Sequence, residues 1–144
     1  MTHSDLVTRA ERWLRNTMHC RVVLCELTAY TYSRETPDAI GWVNGQSILV
    51  EAKTSRGDFK ADRKKPSRRI PGHSAMGNRR VYLTPPGLLT GLVLPKGWSW
   101  YEAHEKQVRH RAGPLLMHGG NIPLESCLHS EIAILVSALT RKGR

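Results

Sequence analysis

Asn44-Gly45, set between two apolar runs, restricts this chain's fold more than any other feature of its sequence. A two-residue type I′ turn needs positive φ at both central positions, which Asn and Gly tolerate and most residues do not. Residues 38–43 and 46–52 are therefore predicted to form a hairpin in which Val43 faces Gln46, and each step outward carries the pairing on until Asp38 faces Glu51. Directly opposed side chains in such a pair lie about 4.5–5.5 Å apart at Cβ, so two like charges there destabilise the sheet unless something compensates them. Period-two alternation places Lys53 on the same face as Glu51. The intervening positions, Ile40, Trp42, Ile48, Leu49 and Val50, are apolar, which puts the charged cluster at the open end of a largely buried hairpin.

Two carboxylates beside one ammonium group suit a divalent cation. Mg²⁺ takes hard oxygen ligands while keeping waters and accepting phosphate oxygens. Such an ion relieves the carboxylate repulsion, polarises a phosphoryl group and acidifies a water, and Lys53 is placed to hold that water or to stabilise charge developing on the phosphate. The plainer alternative makes Asp38, after Pro37, a turn residue and treats Glu51 and Lys53 as solvated strand-end charges. Three coincidences favour chemistry: the register, the shared face, and the dense basic segment that follows at once.

That segment holds Lys60, Arg63, Lys64, Lys65, Arg68 and Arg69, and Arg79 and Arg80 extend it. The whole chain carries 22 Lys plus Arg against 12 Asp plus Glu, a formal +10, so a polyanion is the expected partner. Next to a phosphoryl-transfer centre, these cations read as phosphate-backbone contacts, which are salt-sensitive and independent of base sequence. No zinc-finger, RNA-recognition or helix-turn-helix signature is present. Trp42, Trp98, Trp100 and Tyr101 are read as core aromatics before base-stacking platforms.

Elsewhere, Leu6, Val7, Ala10, Trp13 and Leu14 recur at helical intervals and predict an amphipathic helix over 4–17. Arg21 to Tyr30 reads as a strand, 55–65 as a helix opened by Ser55 with Asp58 in the relation of a capping box, and 66–78 as a mobile loop able to close over nucleic acid. Val81–Thr84 and Trp98–Ala103 are further strands. Residues 104–113 are polar and basic and carry no clear period. After Pro123, Leu124, Leu128, Ile132, Leu135, Val136 and Leu139 predict a well-buried final helix. Strands and helices thus mix in one α/β unit spanning 1–144. Cys20, Cys25 and Cys127 lack C-x-x-C spacing and are expected as reduced thiols, and the seven histidines lack the spacing of a zinc hydrolase. No apolar run is long enough to cross a bilayer and no signal peptide is evident, so a cytoplasmic protein is expected.

Pro37-Asp38, a hairpin, then Glu51-Ala52-Lys53 resembles the PD-(D/E)xK nuclease superfamily. The flanking Ile48-Leu49-Val50 and Thr54-Ser55, then Asp58-Phe59 and Ala61-Asp62-Arg63-Lys64, look like the MmcB-type DNA-repair family and related small phage or bacterial endonucleases. Tyr82-Leu83-Thr84-Pro85-Pro86-Gly87 and Gly97-Trp98 are similar to the strands that complete such a core; the resemblance covers about residues 20 to 103, and Lys65-Pro66 stands where the repair family has a tryptophan. It implies a restriction-endonuclease-like αβββαβ core, a central mixed β-sheet flanked by helices, here with an extra C-terminal helix. It also implies catalysis by Asp38, Glu51 and Lys53, with metal held by Asp38, Glu51 and the backbone carbonyl of Ala52. A further acid from the first helix or strand is commonly recruited, for which Glu11 and Glu26 are candidates and Glu35 a third.

The expected function is Mg²⁺-dependent endonucleolytic hydrolysis of DNA, with Mn²⁺ able to substitute, on duplex, branched or single-stranded substrates in repair, recombination or phage DNA metabolism. The setting would be a bacterial or phage-infected cell, and a homodimer is compatible with cutting two strands. The alternative is a nucleic-acid-binding or regulatory protein that uses the same scaffold without cutting. A histidine-metal centre built on His73 and Asn78 is a remote third reading.

Overall fold

A computed structural model describes residues 1–27, 36–69, 75–116 and 123–142. The elements are, in order, α1 (His3–Asn16), β1 (Val22–Cys25), β2 (Ala39–Val43), β3 (Gln46–Ala52), α2 (Arg56–Arg63), the short α3 (Pro66–Arg69), β4 (Arg79–Thr84), β5 (Trp98–Ala103), β6 (Val108–Ala112) and α4 (Leu128–Lys142). The six strands form one mixed sheet in sequence order. β3, β4 and β5 run parallel, and β1, β2 and β6 join antiparallel.

The hairpin forms as its turn chemistry requires. Asn44 and Gly45 have φ of 50° and 75°, and the register runs from Val43 opposite Gln46 to Ala39 opposite Val50. β3 then needs a crossover to reach a parallel neighbour, and α2 supplies it. Ser55 starts α2 by accepting a hydrogen bond from the backbone N–H of Asp58. Thr2 and Asp5 cap α1 reciprocally.

Alternation along the strands sorts the core into two layers. Ile48, Val50, Ala52, Val81 and Leu83 face α1, which buries Leu6, Val7, Ala10, Trp13 and Leu14 against them. Ile40, Leu49, Tyr82, Trp98 and Trp100 face the other way, toward Phe59 of α2, Leu89 and Ile134 of α4. Gly41 is required where the first layer is tightest, because a Cβ there would lie 2.9 Å from Cys20 Sγ. The aromatic residues Trp98, Trp100 and Tyr101 are buried, as expected of core residues. The three cysteines are free thiols. Among the described residues, no helix is long and apolar enough to cross a membrane.

Three expectations need correction, and one segment without a clear period is placed. Pro66–Arg69 is helical, and Ala75 and Met76 are buried, so 66–78 is not a continuous surface loop; residues 70–74, with His73, lie outside the described residues. Asn78, the other half of the histidine-metal idea, is structural: its side chain bonds Ser47 and the Leu124 carbonyl. Residues 108–112 form an edge strand whose exposed, charged alternate positions resist further pairing. Finally, α4 buries Ser130, Glu131 and Ile134, while Leu128, Ile132, Val136 and Leu139 are exposed. The reason is Glu131: its carboxylate accepts hydrogen bonds from Trp42 Nε1 and Ser47 Oγ, both at 2.8 Å, and from Ser126 Oγ. A buried carboxylate must keep such partners, and keeping them fixes the rotation of the helix.

Candidate active site

Glu51 stands one residue before the end of β3, on the α2 side of the sheet, as its alternation with Leu49 demands. Lys53 follows two residues later, its backbone N–H donating to the Leu83 carbonyl. Asp38 lies one residue beyond the paired part of β2, where its Oδ2 accepts the Ala52 N–H at 2.8 Å. Asp38, Glu51, Ala52 and Lys53 line one open cleft of about 380 Å³ together with His3, Asp58, Asp62 and Lys65. The cleft sits at the C-terminal ends of parallel strands, where open α/β sheets commonly place ligands.

The electrostatics centre on Glu51, which is only 5% exposed. Burial raises its pKa well above the usual 4.5, and the negative charge of Asp38 raises it further; Arg68 and Lys53 oppose this without reversing it. Arg68 Nη2 lies 3.6 Å from Glu51 Oε1. The carboxyl is therefore a buried acid that ionises reluctantly, at a solvent-open cleft that the Asp38 carboxylate also lines. The donor set of Asp38, Glu51 and a peptide carbonyl is hard and oxygen-rich, and a small divalent cation fits it.

Two participants escaped the sequence reading. Asp62, 1% exposed, projects from α2 beneath the cleft and pairs with Lys53 Nζ at 3.4 Å, Lys65 Nζ at 3.1 Å and Arg68 Nε at 3.0 Å, and it also accepts the Tyr82 hydroxyl. Its signal was the helical period: Phe59 marks the inward face of α2, and Asp62 follows one turn later on that face. His3 is the other. Its Nε2 lies 2.9 Å from Glu26 Oε1 and 3.4 Å from Asp38 Oδ1, so α1 brings its first residue to the mouth of the cleft. One ligand atom from each of His3, Glu26 and Asp38 falls within 4.8 Å of the others. Nothing local to residue 3 announces this, because it depends on how α1 docks.

Of the candidate acids, Glu26 thus reaches the site. Glu11 does not: it accepts from Cys25 Sγ and pairs with Arg15 on α1. Glu35 lies outside the described residues.

The basic track also divides. Lys60 is exposed on α2 and Lys64 at its C-cap, and Lys65 is half-exposed at the cleft rim. Arg63 is half-buried, donating to the Val93 carbonyl. Arg68 is corrected from a phosphate contact to an internal cation: its side chain is 0% exposed, and its guanidinium lies over the Trp98 ring at 4.5 Å. Arg80 is likewise internal, bonding the carbonyls of Gly77 and Glu125. Arg79 is half-buried at the start of β4, away from the cleft, and bonds Gln46. The side chain of Arg69 lies outside the described residues.

The chain is similar in fold to a protein of unknown function from Silicibacter pomeroyi, with a TM-score of 0.66 and 19% identity, covering 100% of this chain and 89% of that one. At that identity the likeness speaks for fold alone. No protein-family model matches the chain, and no curated protein matches it.

Proposed function

We propose that this chain is a divalent-metal-dependent deoxyribonuclease with a restriction-endonuclease-like core, of the PD-(D/E)xK kind and closest in sequence pattern to MmcB-type DNA-repair proteins. One observation carries the proposal: Asp38, Glu51 and Lys53, from three positions along one hairpin, line a single cleft in which Glu51 is buried and close enough to Asp38 for its charge to be felt. Asp38, Glu51 and the Ala52 carbonyl would hold Mg²⁺ or Mn²⁺, and such an ion, when bound, supplies charge neutralisation and a more acidic water.

The remaining roles belong to the chain itself. Lys53 presents its ammonium group at the cleft and stabilises negative charge developing on a phosphodiester oxygen. Asp62 holds that ammonium from behind, at 3.4 Å. Lys60, Lys64 and Lys65 hold the phosphate backbone that runs past the cleft. Repair, recombination or phage DNA metabolism are the settings that a backbone-guided cut would serve.

The test is cleavage of supercoiled plasmid and of single-stranded, nicked and four-way oligonucleotides, with Mg²⁺, with Mn²⁺ and with chelator. Cleavage should need the ion and fall about 10²-fold in Lys53→Ala protein. Equal cleavage by that variant would mark a contaminant and end the assignment. Salt-dependent binding without turnover on any substrate would instead assign a non-cleaving nucleic-acid-binding protein.

The surface lysines make a separate prediction. Lys60→Gln combined with Lys64→Gln should weaken DNA binding evenly across sequences and reduce the slope of log K against log salt by roughly 1 to 2. A fluorescence-anisotropy salt titration reads this directly, and an unchanged slope would remove α2 from the binding surface.

A further inference from the structure

α4 is fastened along one narrow strip, by the Glu131 carboxylate and by Ile134, which is 1% exposed. Its opposite strip faces solvent, with Leu128, Ile132, Val136 and Leu139 exposed by 65%, 56%, 55% and 68%. At roughly 100 Å² each, these four side chains make a patch of roughly 400 Å², within the roughly 300–600 Å² of the largest apolar patch on a typical monomer, which is often a functional surface. Doubled across a symmetric contact and widened by the half-buried Leu135, the patch approaches the roughly 1,000 Å² that a specific interface needs.

The spacing says what fits it. Leu128, Ile132, Leu135 and Leu139 follow the 4-3-4 steps of a coiled-coil seam. Laid antiparallel on a second copy of itself, the seam is self-complementary: Leu128 meets Leu139 of the other copy and Ile132 meets Leu135, in both halves of the contact. Charge selects that orientation. The last turn of α4 carries Arg141 and Lys142. Parallel pairing would gather four cations at one end, whereas antiparallel pairing separates the two basic ends by roughly 20 Å, the length of the helix.

We infer that α4 docks on α4 of a second copy as an antiparallel, two-fold symmetric pair. The inference goes beyond the nuclease reading and does not depend on it, since association is measured without metal or DNA.

Two complementary variants test it: Ile132→Lys with Leu139→Lys, and Leu128→Glu with Leu135→Glu. Light-scattering mass across a dilution series should give twice the chain mass for the unmodified protein and the single-chain mass for each variant alone. An equimolar mixture of the variants should recover the double mass, because only antiparallel layering sets each lysine against a glutamate and leaves leucine on leucine or isoleucine elsewhere. Circular dichroism with thermal unfolding confirms that each variant folds. A single-chain mass for the unmodified protein would overturn the inference, as would variants that still pair alone or a mixture that stays monomeric.

Discussion

Glu51→Gln protein should lose metal-dependent cleavage by about 10³-fold, at the upper end of what one preorganised electrostatic group supplies, while unfolding at a higher temperature than the unmodified protein in chelator. The two effects have one source. Burial, then the charge of Asp38, raises the pKa of Glu51 in the folded state above its ordinary 4.5. Between pH 4.5 and that raised value the unfolded chain gives up the proton more readily than the folded one, so stability declines as pH rises through the window and the deficit persists above it. Glutamine keeps the shape and carries no charge, so the deficit disappears along with a ligand. Thermal unfolding in chelator from pH 4 to 8 should show the variant pulling ahead as pH rises. Equal stability at every pH would mean that Glu51 is adequately compensated by Arg68, and with that the reason for expecting a cation in the cleft would go.

The hairpin was legible because its determinants are local. Asn44-Gly45 dictates positive φ, the turn dictates register, and the register brings residues 38 and 51 to the same end of the strands. α1, α2 and the strands β4 and β5 were readable for a similar reason: each carries a clean apolar period or a cap within its own sequence. What failed depended on the sheet as a whole. The apolar period of α4 was read correctly as helical but assigned to the wrong face, because burial of Glu131 depends on Trp42 and Ser47, more than eighty residues away. Arg68 and Arg80 looked like surface cations in a basic run, yet each sits where long-range partners, Asp62 and Glu51 for one and the carbonyls of Gly77 and Glu125 for the other, make burial tolerable. Composition reports how many cations a segment holds; it does not report which of them the fold turns inward. His3 joined the cleft by the same route, through the docking of α1 rather than any pattern near residue 3.

The internal cation leads to the largest stability effect expected of any single substitution here. Asp62→Ala should destabilise the protein by about 3–5 kcal/mol, because it removes the carboxylate bonded to the fully buried guanidinium of Arg68 at 3.0 Å, leaving the more distant Glu51 at 3.6 Å, and leaves the Tyr82 hydroxyl without its acceptor. Acid should approach the same state reversibly. Burial alone would raise the pKa of Asp62, but Arg68, the Tyr82 hydroxyl and Lys53 together outweigh it and hold the group down at about 2, against an ordinary 3.8. A depressed folded-state value means that the contribution is complete above pH 3.8 and lost as pH falls toward 2, amounting to about 2 kcal/mol. Urea unfolding from pH 6 down to pH 2 should therefore show a decline in that window that is steeper in the unmodified protein than in Asp62→Asn, where only groups such as Asp5 and Glu102 still contribute. Cleavage by the folded fraction of Asp62→Asn should also fall, since Lys53 loses the partner that holds its ammonium group at the cleft. If Asp62→Ala costs less than 1 kcal/mol, the buried network is not what holds α2 and α3 against the sheet, and Lys53 must be positioned by something else.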